Sequence, residues 1–283
     1  FTGQTPRVEL LFDNGAGAAG PGNPESTYTA GFDQWPPRGR TESWKFGSSG
    51  SLSTGGEAQG STGRARFTLD PGARPSTSLP STGNAWAADP GWDWTPVPAA
   101  DGAGFQTAPF TSATTIAGPA TVDLWVASAS PVVDLQATIT EVRPASGQEE
   151  YVTSGFLRSS NQVDLPMSTA LLTQPTYLGS ESRHLSASKL TLVKIPIDPI
   201  VHTFRPGTEL RVVLSAPGGD RPTWEFATVD NGSQTVSVGY DGIAASSLEV
   251  NVVGGVTPTT ALPACGSLRG EPCRPYVGEG NQA

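Results

Sequence analysis

Thr121-Val-Asp-Leu-Trp-Val-Ala127 places Val122, Leu124 and Val126 on one side of an extended chain, with Asp123 and Trp125 on the other. A period of two is the signature of a strand, because successive side chains point to opposite faces of a sheet. The spacing returns in Asp134-Leu-Gln-Ala-Thr-Ile-Thr-Glu-Val142, through Leu135, Ala137 and Ile139, and again in Lys189–Ile197, Glu209–Leu214, Thr235–Tyr240 and Leu248–Val253. Gly, Pro and Asp bound these runs, and Pro144–Gly147, Pro206–Gly207 and Pro217–Gly219 supply turns between them. Half-buried strands are predicted throughout.

Upstream the signal thins. Arg7–Phe12, Glu42–Phe46 and Arg64–Leu69 read as strands, separated by loops such as Asn14–Pro24 and Gly47–Gly63. Leu79–Asp101 is a long irregular stretch carrying Trp86, Trp92 and Trp94. No segment of helical length shows a 3.6-residue apolar stripe, and Met167–Thr173 would make one turn at most. Strands in series without helices between them predict an all-β sandwich or barrel. The expected organisation is one sandwich domain over 1–256, with an irregular half (7–110) and a regular half (111–256), followed by an extended tail (257–283).

Composition narrows the function classes. Gly (34) and Pro (26) make up about a fifth of the 283 residues and only 15% are charged, which suits many short elements joined by turns. The same bias is compatible with disorder, but a 36% hydrophobic fraction and seven Trp argue for a packed core. A formal charge of −9 without any basic run disfavours nucleic acid as a partner, since phosphates would go unneutralised. No apolar stretch approaches the roughly 20 residues of a membrane-spanning helix. The chain begins at Phe1 without a signal-like apolar run, so a processed product or an excised piece is expected.

The two cysteines, Cys265 and Cys273, lie in Cys-Gly-Ser-Leu-Arg-Gly-Glu-Pro-Cys, where Gly266, Gly270 and Pro272 make closure of the loop easy. A disulfide is the first reading and implies an oxidising compartment, hence a secreted or cell-surface protein. So short a loop would add roughly 2–3 kcal/mol. Two free thiols in a mobile tail are the alternative, and a metal site would need further ligands.

Catalytic machinery is hard to assemble from this sequence. No Gly-x-Ser-x-Gly elbow occurs; Gly47-Ser-Ser-Gly50 and Gly60-Ser-Thr-Gly63 have the wrong spacing and lie in loops. A serine triad also needs a histidine as proton shuttle, and only His184 and His202 are available, both read as packing or surface residues. No His-x-x-x-His or carboxylate–histidine cluster points to a metal hydrolase. No cofactor is implied. A structural calcium ion is conceivable at Asp89, Asp93 and Asp101, or at the turn Asp230-Asn-Gly, although neither spacing matches an EF-hand loop and solvated turns explain both. Trp86, Trp92 and Trp94 leave three readings: sugar stacking as in a carbohydrate-binding module, anchoring against a neighbouring domain, or plugging one end of the sandwich.

One resemblance joins these observations. Thr115-Ile-Ala-Gly-Pro-Ala-Thr-Val-Asp-Leu-Trp-Val-Ala-Ser128, then Val133-Asp-Leu-Gln-Ala-Thr-Ile-Thr-Glu-Val-Arg-Pro144 and Thr153-Ser-Gly-Phe-Leu-Arg-Ser159, resemble the C-terminal non-catalytic domain of X-Pro dipeptidyl-peptidases and cocaine-esterase-type hydrolases. His202-Thr-Phe-Arg-Pro-Gly-Thr-Glu-Leu-Arg-Val-Val-Leu-Ser215 resembles a further segment of that domain, and Trp35-Pro-Pro resembles its opening. The tail around Cys265 is similar to those of secreted actinobacterial members, which implies a bacterial extracellular protein. Two positions depart from the family pattern: the first Asp of its "DtD" is Val132 here, with Asp134 as the second, and its "aSHR" reads Ser159-Ser-Asn-Gln162. The resemblance implies a jelly-roll, galactose-binding-like sandwich packed against an α/β-hydrolase domain, in cis or in trans, that carries the whole triad. No catalytic residue transfers to this chain. Its implied task is to stabilise the hydrolase domain and shape the mouth of its active site, with an apolar patch left bare where the partner is missing.

Overall fold

The computed structural model describes residues 6–20, 23–55, 63–87, 90–229, 231–240 and 242–278. Its strands are β1 (Val8–Phe12), β2 (Tyr28–Phe32), β3 (Arg40–Phe46), β4 (Leu52–Ser53), β5 (Gly63–Leu69), β6 (Gly102–Gln106) and β7 (Thr114–Ser128). They continue with β8 (Asp134–Arg143), β9 (Gln148–Arg158), β10 (Thr191–Phe204), β11 (Glu209–Ser215), β12 (Gln234–Tyr240), β13 (Ser247–Val253) and β14 (Cys273–Pro275). Two antiparallel sheets face each other. In the five-stranded sheet the order is β14-β9-β8-β11-β6. In the seven-stranded sheet the long β7 pairs with β10 along one edge and with both β13 and β12 along the other. The expected all-β sandwich is the fold.

The alternating residues meet between the sheets. Val122, Leu124 and Val126 of β7 join Val193 and Ile195 of β10, while Leu135, Ala137 and Ile139 of β8 and Leu210, Val212 and Leu214 of β11 come from the opposite side. Removing each such side chain from water is worth about 1.5–3 kcal/mol, which makes this layer the main driving force for folding. Phe46 and Phe105 stack across it at 4.3 Å. The β1–β2 hairpin lies on the outer face of the larger sheet, burying Leu10, Phe12 and Tyr28 against Ala117 and Val253.

β2, β4, β6, β9 and β14 fall outside the predicted runs, and β10 extends past the end of its own. β2 (Tyr-Thr-Ala-Gly-Phe) is short and interrupted by Gly31, β6 (Gly-Ala-Gly-Phe-Gln) is weak in β propensity, and the two are ordered by pairing with β1 and β11. β10 runs past Pro196 and Pro199 as far as Phe204, with a register shift between Ile197 and Ile200. Proline is tolerated here because β10 pairs on one edge only, so its missing N–H groups interrupt no second ladder. The other edge of β10 presses on β9. A Cβ at Gly155 would run into the carbonyl oxygen of Pro196.

Gly155→Ala should therefore cost about 1–3 kcal/mol of stability, the usual range for overpacking. Denaturant unfolding of the two proteins measures it, and an unchanged midpoint would show that the β10 bulge yields freely.

Candidate functional site

The outer face of the five-stranded sheet is polar, yet little of it meets water. Gln136, Thr138 and Thr140 of β8, Glu149 of β9 and Arg211 and Ser215 of β11 are all buried. This differs from the half-buried strands predicted: every residue of β8 and β11 is covered on both faces. The cover comes from three stretches outside the regular alternation, namely the loop around Arg74 and Trp94, the turn holding Asp220, and the tail carrying Arg274 and Tyr276.

Two carboxylates organise this layer. Asp220 accepts hydrogen bonds from Arg74 (2.8 Å), from the Trp94 indole N–H (2.8 Å), and from Gln136 and Thr138. Glu149 accepts from Thr140 (2.8 Å), Arg211 (3.1 Å) and Arg274 (2.8 Å). Burial alone would push the Asp220 carboxyl up, but Arg74 and Arg274 hold it below its ordinary range. The Arg274 guanidinium also lies 3.8 Å from the Trp94 ring centre, and Tyr151 meets the same indole edge-on.

The three tryptophans of the loop are thus split. Trp94 is sealed into the polar layer, Trp92 is half-buried, and Trp86 is 89% exposed. Among the described residues no ring contact joins the three, and the burial of Trp94 fits the reading in which it plugs the sandwich. Cys265 and Cys273 form a disulfide, and the tail beyond it adds β14 to the edge of β9. Of the proposed calcium ligands, Asp89 and Asp230 lie outside the described residues, and Asp93 faces the hydroxyl of Thr95. Among the described residues no cluster of three or more His, Cys, Asp or Glu side chains is placed to hold a metal. No helix among them is long and apolar enough to cross a membrane.

Neither histidine meets a nucleophile. His184 is exposed. His202 is buried, with Nε2 at 2.9 Å from Glu141 and Nδ1 at 3.7 Å from Glu271. The hydrogen bond to Glu141 and the second carboxylate beside Nδ1 favour the protonated ring, which suits an ion pair better than a base that takes a proton from a hydroxyl. Periodicity could not reveal this pairing, since Glu141 and His202 belong to different sheets.

On the outer face of the larger sheet, the segment between β9 and β10 folds back as a strap. The Thr173 amide donates to the Thr121 hydroxyl (3.4 Å), its own hydroxyl donates to Asp164 (2.7 Å), and Lys194 pairs with Asp164 at 3.6 Å. From this anchored loop Leu165, Met167, Leu172, Tyr177 and Leu178 project into solvent. Tyr177 has a φ of 53°, in the left-handed region that a bulky residue rarely adopts.

These features describe an all-β sandwich whose polar interior is structural and whose most apolar exposed segment is an ordered loop. A family model, the X-Pro dipeptidyl-peptidase C-terminal non-catalytic domain, matches residues 2–232. The chain belongs to that family. No curated protein matches it in sequence. Among solved structures it is similar to a CocE/NonD family hydrolase from Staphylococcus aureus, with a TM-score of 0.62 at 18% identity over 88% of this chain. An aminopeptidase from a marine sediment archaeon, Thaumarchaeota archaeon, gives 0.61 at 18% identity over 88% of this chain. An α-amino acid ester hydrolase gives 0.62 at 19% identity, again over 88%. The chain spans 42%, 41% and 41% of those three structures respectively.

Asp220→Ala should cost about 3–5 kcal/mol, because it strands the Arg74 guanidinium and the Trp94 N–H in a buried layer. Trp86→Ala should stay within about 0.5 kcal/mol. Chemical denaturation distinguishes the two, and similar costs for both would contradict the placement of the layer.

Proposed function

We propose that this chain is the accessory, non-catalytic module of a secreted X-Pro dipeptidyl-peptidase- or esterase-like α/β-hydrolase, and that it steadies the hydrolase domain and shapes the mouth of its active site. The observation that carries this reading is the strap between β9 and β10. Its five exposed apolar side chains sit on a loop pinned to the sheet, and Tyr177 is held there in a conformation costing on the order of 1–3 kcal/mol. Ordered apolar groups facing water suit a surface that another domain covers. Membership of a family described as non-catalytic, and likeness to hydrolases more than twice as long, support the same assignment. The disulfide suits an oxidising compartment.

The test pairs the purified chain with the α/β-hydrolase domain of its parent protein. A complex is expected by light scattering, and Tyr177→Ala with Leu178→Ala should weaken it by roughly 30-fold, equivalent to about 2 kcal/mol. Alone, the chain should not hydrolyse p-nitrophenyl acetate or X-Pro chromogenic dipeptides. Turnover abolished by a serine-directed phosphonate would overturn the assignment.

A further inference from the structure

Five charged groups meet where β8, β9 and β10 run up against the tail. Glu141 and Arg143 come from β8, Glu150 from β9, His202 from β10, and Glu271 from the loop closed by the disulfide. Arg143 donates to Glu141 (2.8 Å) and pairs with Glu150, while His202 lies between Glu141 and Glu271. The same groups hold the loop in place. Gly266 N–H donates to Glu150 (2.9 Å), and the Arg143 guanidinium donates to the Pro263 carbonyl (2.5 Å). Tyr151 N–H reaches the Pro272 carbonyl at 3.0 Å. From the hairpin side Asp13, paired with Arg205 at 2.5 Å, adds a further negative charge that raises the Glu271 carboxyl.

With every group ionised, three carboxylates would face two cations, an excess of one negative charge in a largely dry site. Glu271 Oε2 is buried and, among the described residues, accepts no hydrogen bond. The arrangement lacks a proton. We infer that the cluster is a proton-held latch, which fastens the disulfide-closed loop to the sandwich in acidic and neutral solution and releases it in alkaline solution. The disulfide keeps the loop a ring, so release moves residues 265–273 as a flap that uncovers the buried Leu268.

Charge and burial agree with the geometry. Burial raises the Glu150 carboxyl to about 7 and the Glu271 carboxyl to about 8, against the opposing pull of Arg143 on the first and His202 on the second. Burial works against the charge on His202, but the hydrogen bond and charge of Glu141, with Glu271 and Glu150, lift it to about 9. All three are raised above their unfolded values, so their stabilisation is complete only below 4.5 for the two carboxyls and below 6.5 for the imidazole, and it is lost progressively as pH climbs to about 7 for Glu150, about 8 for Glu271 and about 9 for His202. Glu141 runs the other way: despite burial it is lowered by His202 and Arg143, and its contribution fails only in strong acid.

An NMR titration of the His202 imidazole should place its midpoint well above the ordinary value of 6.5. Hydrogen-exchange protection of the Gly266 and Tyr151 amides, corrected for intrinsic rates, should fall by about tenfold or more between pH 6.5 and 9, while that of Val212 in β11 holds. Glu271→Gln should lower the His202 midpoint and flatten the protection profile. A His202 midpoint at the ordinary value of 6.5, protection of the loop unchanged by pH, or a Glu271→Gln profile identical to that of the parent would each overturn the latch. None of these outcomes bears on whether the strap binds a hydrolase domain.

Discussion

A carboxylate taken out of water loses several kcal/mol of hydration and survives only with partners of opposite charge and well-placed hydrogen bonds. Asp220 and Glu149 meet that demand on the outer face of the five-stranded sheet, where a sandwich usually lets polar side chains reach solvent. Their cations arrive from remote parts of the chain: Arg74 from the irregular first hundred residues, Arg274 from the tail. The long loops are therefore ordered by charge as much as by apolar contact. Trp94 follows from the same constraint, since its indole N–H and ring are both used, one by Asp220 and the other by Arg274.

This use of polar groups also bears on chemistry. Serine-hydrolase catalysis needs a hydroxyl, an imidazole with a free nitrogen and a carboxylate converging in a cleft. Here His202 is hydrogen-bonded to Glu141 with Glu271 beside its other nitrogen, and Ser154, a buried hydroxyl, is spent on Tyr151. Both groups are tied to holding the layers together. What the fold offers the outside is of another kind, an anchored loop with bare apolar side chains on the opposite sheet.

Alternation made the inner faces of β7, β8, β11, β12 and β13 legible in the sequence, because one apolar face against one other face is what a period of two reports. It could not report that β8 and β11 are covered on their second face, since Gln136, Thr138 and Thr140 look like solvent-facing residues until Arg74, Asp220 and the tail are placed over them. β9 escaped the pattern for a related reason. Glu149 and Glu150 are adjacent and both buried, one in the polar layer and the other in the His202 cluster, so neither face reads as apolar. Only the family resemblance marked its second half. The short loop between Cys265 and Cys273 made their pairing readable, whereas the partners of His202 depend on contacts across 61 and 69 positions that no local pattern encodes.

The departure at Val132 shows how such a layer tolerates change. Asp134, the second acidic position of the family pattern, accepts from Arg158 at 2.9 Å and from the Val229 amide at 2.6 Å, joining the start of β8 to the end of β9 and to the loop before β12. At residue 132 no carboxylate is present, yet its backbone carbonyl accepts from the Asn231 side chain (2.9 Å) and the Ser130 hydroxyl (2.8 Å). The same two loops are linked, by a main-chain acceptor in place of a charged one. A carbonyl carries no desolvation cost of an ion, so this corner is fastened with one buried charge where the pattern would have two. Position 134 cannot be relaxed in the same way: Arg158 would then lose its carboxylate, and the amide of Val229 its acceptor, in a single step.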